Sequence, residues 1–149
     1  MSQTFTVTLQ NIATAPYSAT VRGALFGQSQ FTPSPDHHSR IYLNGYLVDD
    51  VTWDGWREYD FEHDVPHTYL VEGDNEIVVE LPFDLGSEVT IDTTLVNWFE
   101  IDYQDTYTAE DDQLTFAGYA PGPKTFTVTQ FMTSSLALYD ITTPTRTVR

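Results

Sequence analysis

Four histidines, His37, His38, His63 and His67, and 22 Asp and Glu residues are the groups from which this sequence would build acid–base or metal chemistry. His63 and His67 have the i, i+4 spacing of a helical metal pair. Pro66 lies between them, however, and the surroundings read as strand and turn, so the two rings need not share a face. The four histidines are therefore expected in solvent-facing loops. Paired carboxylates suit glycoside hydrolysis, but 22 acids in 149 residues put some pair at a workable separation by chance, and the count carries no weight. The sequence has no G-x-S-x-G elbow and no cysteine, so neither an activated serine nor a thiolate nucleophile is indicated. No catalytic residue is assigned, and the chain is read as a protein that performs no chemistry by itself.

Oxygen ligands are plentiful. Asp50-Val51-Thr52-Trp53-Asp54-Gly55 opens like a helix-flanked calcium loop, but its twelfth position is Phe61 where a bidentate Glu is required. An irregular calcium site remains open, drawn from Asp49, Asp50 and Asp54 together with Asp36, or alternatively from Glu110, Asp111 and Asp112, with Asp49, Asp50 and Asp54 as the candidate ligands. The competing reading is a solvated acidic surface that keeps the chain in solution. Flat aromatic rings beside acids and amides suit sugars, whose C–H faces stack while their hydroxyls are hydrogen-bonded. Trp53, Trp56 and Tyr59, in a turn-rich acidic segment, and Trp98, out of phase with its apolar neighbours, are the candidate ligand-binding residues. The opposing reading makes Trp53 or Trp56 a plug for one end of the core.

These side chains must be positioned by strands. Twenty-two Thr stand against a single Lys, and Val, Ile, Tyr, Phe and Trp are frequent, a composition that fits pleated surfaces better than helices. Period-two alternation is plain in Phe5, Val7 and Leu9 against Thr4, Thr6 and Thr8, in Ile77, Val79 and Leu81, and in Phe126 and Val128. It is longest from Val89 to Tyr103, where Phe99, Ile101 and Tyr103 are expected inward and Trp98, Glu100 and Asp102 outward. Asn44-Gly45 is the sharpest turn signal, because both residues tolerate the positive φ of a tight hairpin. It predicts Ile41–Leu43 paired with Tyr46–Val48. Nine to eleven short strands with turns at this spacing predict an all-β protein, an antiparallel β-sandwich of jelly-roll type. Residues 1–141 are read as one domain, and Thr-rich residues 142–149 as a linker or tail to a following domain.

The formal charge is −16, from 6 basic and 22 acidic residues, and the basic residues are scattered. Phosphate backbones and anionic membrane surfaces are repelled by such a chain, so nucleic acid is excluded as a partner. No apolar stretch approaches the roughly 20 residues that span a bilayer, so membrane insertion is not expected either. The expected partners are a carbohydrate, a protein or an adjacent domain of a parent protein.

Two stretches carry a resemblance. Ile41 to Asp50, with its Asn44-Gly45 turn, followed by Leu70-Val71-Glu72-Gly73-Asp74-Asn75 opening an alternating strand to Leu81, resembles the galactose-binding-like jelly roll. Val96-Asn97-Trp98-Phe99-Glu100-Ile101-Asp102-Tyr103, then Asp112 to Phe116, and finally Leu138-Tyr139-Asp140-Ile141-Thr142-Thr143-Pro144, are similar to the β-rich region preceding the catalytic domain of gingipain-type cysteine peptidases and related surface proteins. The resemblance implies a secreted or cell-surface accessory module. No catalytic residue transfers, since this chain contains no cysteine.

Overall fold

A computed structural model describes residues 1–14, 16–32, 34–118 and 121–142. The chain divides into two compact units, Met1–Thr106 and Tyr107–Arg149. The boundary falls inside the span 1–141 read from sequence as one domain, and of the expected tail residues 143–149 lie outside the described ones.

The first unit contains β1 (Ser2–Leu9), β2 (Ser18–Gly27), β3 (His37–Leu43), β4 (Tyr46–Trp53), β5 (Glu58–Pro66), a one-turn 3-10 helix (His67–Tyr69), β6 (Gly73–Glu80) and β7 (Thr94–Asp102). One sheet has the order β1-β6-β3-β4 and the other β5-β2-β7, and every pairing is antiparallel. The two sheets form a sandwich, because each strand alternates and each sheet must cover its apolar face. Leu9 of β1, Val21 and Leu25 of β2, Ile41 and Leu43 of β3, and Ile77 and Val79 of β6 belong to one core cluster, against which the half-buried Val7 packs. Phe5 of β1 meets Phe99 of β7 edge-on, with ring centroids 5.4 Å apart, so the layers interlock across the gap.

The Asn44-Gly45 turn forms as expected. Leu43 pairs with Tyr46, and Asn44 and Gly45 have φ of 50° and 83°. In β7, Phe99 and Ile101 pack against the core while Trp98, Glu100 and Asp102 are exposed, also as expected. Its strand begins only at Thr94, however. In the connection before it, Asp84 and Asp92 bond β3 through their carboxylates.

The second unit corrects the strand count: among the described residues there are seven strands, all before residue 106. The alternation around Phe126 does not become a ladder. Phe126 instead packs against Tyr107 and Phe116, at 5.3 Å and 4.9 Å between centroids, and Thr108 and Thr129 form an isolated bridge. A small ring cluster satisfies the apolar side of that segment without a second strand.

Candidate functional site

β3 brings the first chemistry together. Its alternation points His37, Ser39, Ile41 and Leu43 to the interior and His38, Arg40 and Tyr42 to the other face. His37 is fully buried. Its Nδ1 lies 2.7 Å from Asp92 Oδ1, and its Nε2 lies 3.1 Å from the carbonyl of Ser29. The ring stacks on Trp53, with centroids 4.4 Å apart and planes inclined by 25°. Gly27 makes room for this ring: a Cβ there would stand 2.5 Å from His37 Nε2. Asp36 is equally buried and accepts the amides of Phe31 at 2.6 Å and Gly55 at 2.8 Å. Burial alone would raise the Asp36 pKa, but those two backbone amides, together with the neighbouring His37 and its own amide, outweigh it and hold the carboxyl below its ordinary range.

On the opposite face His38 is clamped between two carboxylates, with Nδ1 2.5 Å from Asp84 and Nε2 2.6 Å from Asp50. Burial pulls the His38 pKa down, yet the hydrogen bonds to Asp50 and Asp84 win and leave it raised. The same bonds from His38, reinforced by Arg40, hold Asp50 and Asp84 below the usual carboxylate range. Arg40 Nε donates to Asp50 at 3.0 Å. The His38 backbone amide also donates to Asp92, at 3.1 Å. Asp84 and Asp92 both belong to the β6–β7 connection, which is therefore fastened to two adjacent histidines on opposite faces of one strand. Chemically, this arrangement fixes a loop. Both ring nitrogens of each histidine are occupied by protein oxygens, which leaves no lone pair directed at a substrate.

This overturns the expectation of loop histidines. His37 and His38 lie in β3, His63 lies half-buried in β5, and His67 is buried in the 3-10 helix, where its Nε2 accepts the Gln104 amide at 3.1 Å. The sequence signal was available: His37 and Ser39 continue backward the period-two pattern of Ile41 and Leu43.

The predicted aromatic platform separates. Trp53 is 3% exposed and belongs to the core, which removes it as a ligand-stacking residue. Tyr59 is half-buried, 5.8 Å from Trp53 between ring centroids, and its hydroxyl donates to Asp49 at 2.7 Å. Burial, with Asp49 adding to it, raises its phenol pKa. Trp56 is 70% exposed and Trp98 42%. Trp56 follows Gly55, whose φ of 72° and amide bond to Asp36 fix the turn that presents it. A notch of about 280 Å³ opens in the first unit, lined mainly by apolar residues, Phe5, Val7, Ile77, Val96, Trp98 and Phe99, with Thr6 and Asn97 contributing polar atoms.

The three candidate calcium ligands are not gathered. Asp49 and Asp50 are neighbours in β4 and so face opposite sides: Asp49 meets Tyr59 and, at 3.2 Å, His63, whereas Asp50 meets His38 and Arg40. Asp54 lies in the following turn, with a buried Oδ1 that has no hydrogen-bond partner among the described residues. Among the described residues no group of three or more His, Asp or Glu is arranged to hold a metal ion. No helix among them is long and apolar enough to cross a membrane.

Comparison with protein-family models finds no match, and comparison with curated protein sequences finds none. Among solved structures the chain is similar to dimeric latent PorU from Porphyromonas gingivalis, at a TM-score of 0.60 and 8% identity. The likeness covers 74% of this chain and 10% of that one, so the chain spans about a tenth of the PorU length. At this identity the likeness is one of fold.

Proposed function

We propose that the chain is a non-catalytic accessory β-sandwich, a spacer or recognition domain within a secreted or cell-surface multidomain protein related to gingipain-type peptidases. The fold likeness to a tenth of the much longer PorU chain carries this reading, since it is the relation expected of one module to a multidomain polypeptide. The galactose-binding-like resemblance of the segments around Asn44 and Asn75 is consistent with it. So is the use of the best polar constellation, at His37 and His38, to fasten a connection. The test is turnover by the purified chain against panels of esters, peptides and glycosides. Flat progress curves are expected, and hydrolysis abolished by His37→Gln would overturn the reading.

A second reading, carbohydrate binding, is favoured by the 70% exposure of Trp56 on an anchored turn. Its aromatic set is Trp56 and Trp98. A glycan array read by tryptophan fluorescence tests it, with Trp56→Ala abolishing any signal. Repeating the screen in excess chelator tests its calcium-assisted form.

A further inference from the structure

We propose that the outward face of the β5-β2-β7 sheet is a docking surface for an arginine- and lysine-rich protein segment. This names the partner class of the recognition role proposed above and rests on that reading.

The register defines the face. Arg22 stands between Glu62 and Glu100, and Thr20 between Asp64 and Asp102. One row on, Ala24 stands between Asp60 and Trp98, and beyond the β7 bulge Phe26 stands between Glu58 and Leu95. Three large apolar side chains are thus grouped at one end and remain open to solvent: Phe26 at 38%, Leu95 at 46% and Trp98 at 42% exposure. An antiparallel sheet that faces water on one side ordinarily carries polar residues there, so an aromatic group on this face is a surface awaiting cover.

Charge selects the occupant. Among the described strand residues, Glu58, Asp60, Glu62, Asp64, Glu100 and Asp102 share this face with one cation, Arg22. Arg22 pairs with Glu62 at 3.5 Å, with Glu100 at 3.3 Å and with Asp102, three of the four acids at its own end, while the fourth, Asp64, accepts the Thr20 hydroxyl at 2.8 Å. Among the described residues no ion pair engages Glu58, Asp60 or Asp64; Glu58 meets only the neutral amide of Asn97, at 3.5 Å. The unneutralised Glu58 and Asp60 therefore lie beside the exposed rings of Phe26 and Trp98. A guanidinium is the group that answers both at once, pairing with a carboxylate through its edge and stacking on an indole through its face. Arg22 already shows the carboxylate half of that arrangement. Phosphate-bearing partners are repelled by the same six acids.

The experiment titrates the full chain with fluorescein-labelled octa-arginine, octa-lysine and octa-glutamate peptides at near-physiological salt, read by anisotropy. Octa-arginine is expected to bind most tightly and octa-glutamate not at all. Trp98→Ala should weaken octa-arginine binding by about threefold. The pair Glu58→Gln with Asp60→Asn should weaken it by about fivefold or more. The pair Asp74→Asn with Glu76→Gln, which removes the same charge from the other sheet, should change it by less than about twofold. All these side chains except Trp98 are solvated surface acids, and an unchanged circular dichroism spectrum and melting temperature verify each fold. Equal weakening by the two charge pairs, or binding indifferent to Trp98→Ala, would overturn the proposal in favour of diffuse attraction by net charge. Quenching of Trp98 by a neutral glycan with no response to octa-arginine would overturn it in favour of sugar. Either failure leaves the non-catalytic role standing, which only the turnover assay removes.

Discussion

The side chain of Asn44 donates to that of Asn75 at 2.8 Å, joining the hairpin turn between β3 and β4 to the turn that opens β6. Asn75 is fully buried, its Nδ2 donating to the carbonyls of Val71 and Gly73 and its Oδ1 accepting the Val71 amide. Asn44 in turn accepts the Glu76 amide at 2.9 Å. Two turns distant in sequence are thereby one polar unit at the end of the sandwich.

Asn75→Ala should leave several of those buried partners unsatisfied and cost about 3 kcal/mol. The melting temperature should fall by roughly 6–12 °C for a chain of this size. Thermal unfolding followed by circular dichroism measures it, and a loss of only a degree or two would mean that water replaces the amide freely.

Gly27→Ala should be severely destabilising despite the small side chain. Its Cβ would meet the Gly55 carbonyl and His37 Nε2, each at 2.5 Å, so the β2 end, the Trp56 turn and the histidine ring must all shift. About 2–4 kcal/mol is expected from urea unfolding.

The tryptophans should divide sharply. Trp53→Ala removes a core ring stacked on His37 and should cost about 3–5 kcal/mol. Trp56→Ala should stay within about 0.5 kcal/mol. Acrylamide should quench Trp56 readily and Trp53 hardly at all, which single-tryptophan variants resolve.

The pH dependence of the β6–β7 connection follows from the signs of the shifts. His38 is held above its ordinary 6.5, so its contribution is complete below that value and is lost as pH rises through the folded pKa. Asp50 and Asp84 are held below 3.8, so their contribution is present above that value and is lost as pH falls through theirs. The clamp should be tightest between roughly pH 4 and 6.5. Imidazole resonances should report a His38 midpoint above 6.5, and amide exchange around Asp84 should accelerate beyond it. A His38 midpoint at or below 6.5 would contradict the double clamp.

Calcium should have little effect on stability. With Asp49 and Asp50 on opposite faces and each already engaged, adding millimolar calcium or a chelator should move the melting temperature by less than about 1 °C. A larger rise on calcium addition would place a site elsewhere in the chain.

Strand residues were legible where alternation was apolar against polar, as in Phe5 to Leu9 or Phe99 to Asp102, because period two directly reports one buried face. The Asn44-Gly45 hairpin was legible because its backbone geometry excludes most other residues. The histidines were not. A buried imidazole has the same one-letter signature as a solvated one, and its partners Asp84 and Asp92 lie 46 and 55 residues from the histidines whose rings they bind. Trp53 was misplaced for a related reason: the acids and glycine around it describe the turn, while the side chain itself follows the inward phase of β4. The Phe126 alternation failed because a pattern specifies a face but supplies no neighbouring strand to pair with.

The fastening of β3 on both sides has a consequence for how the chain can err. Displacing this strand by a single position would send Arg40 into the interior, eject Ile41 and Leu43, and undo the clasps of Asp84 and Asp92 together. A misaligned β3–β4 hairpin therefore meets a barrier on two surfaces at once, and β3 acts as the fixed ruler against which its neighbours β4 and β6 are set.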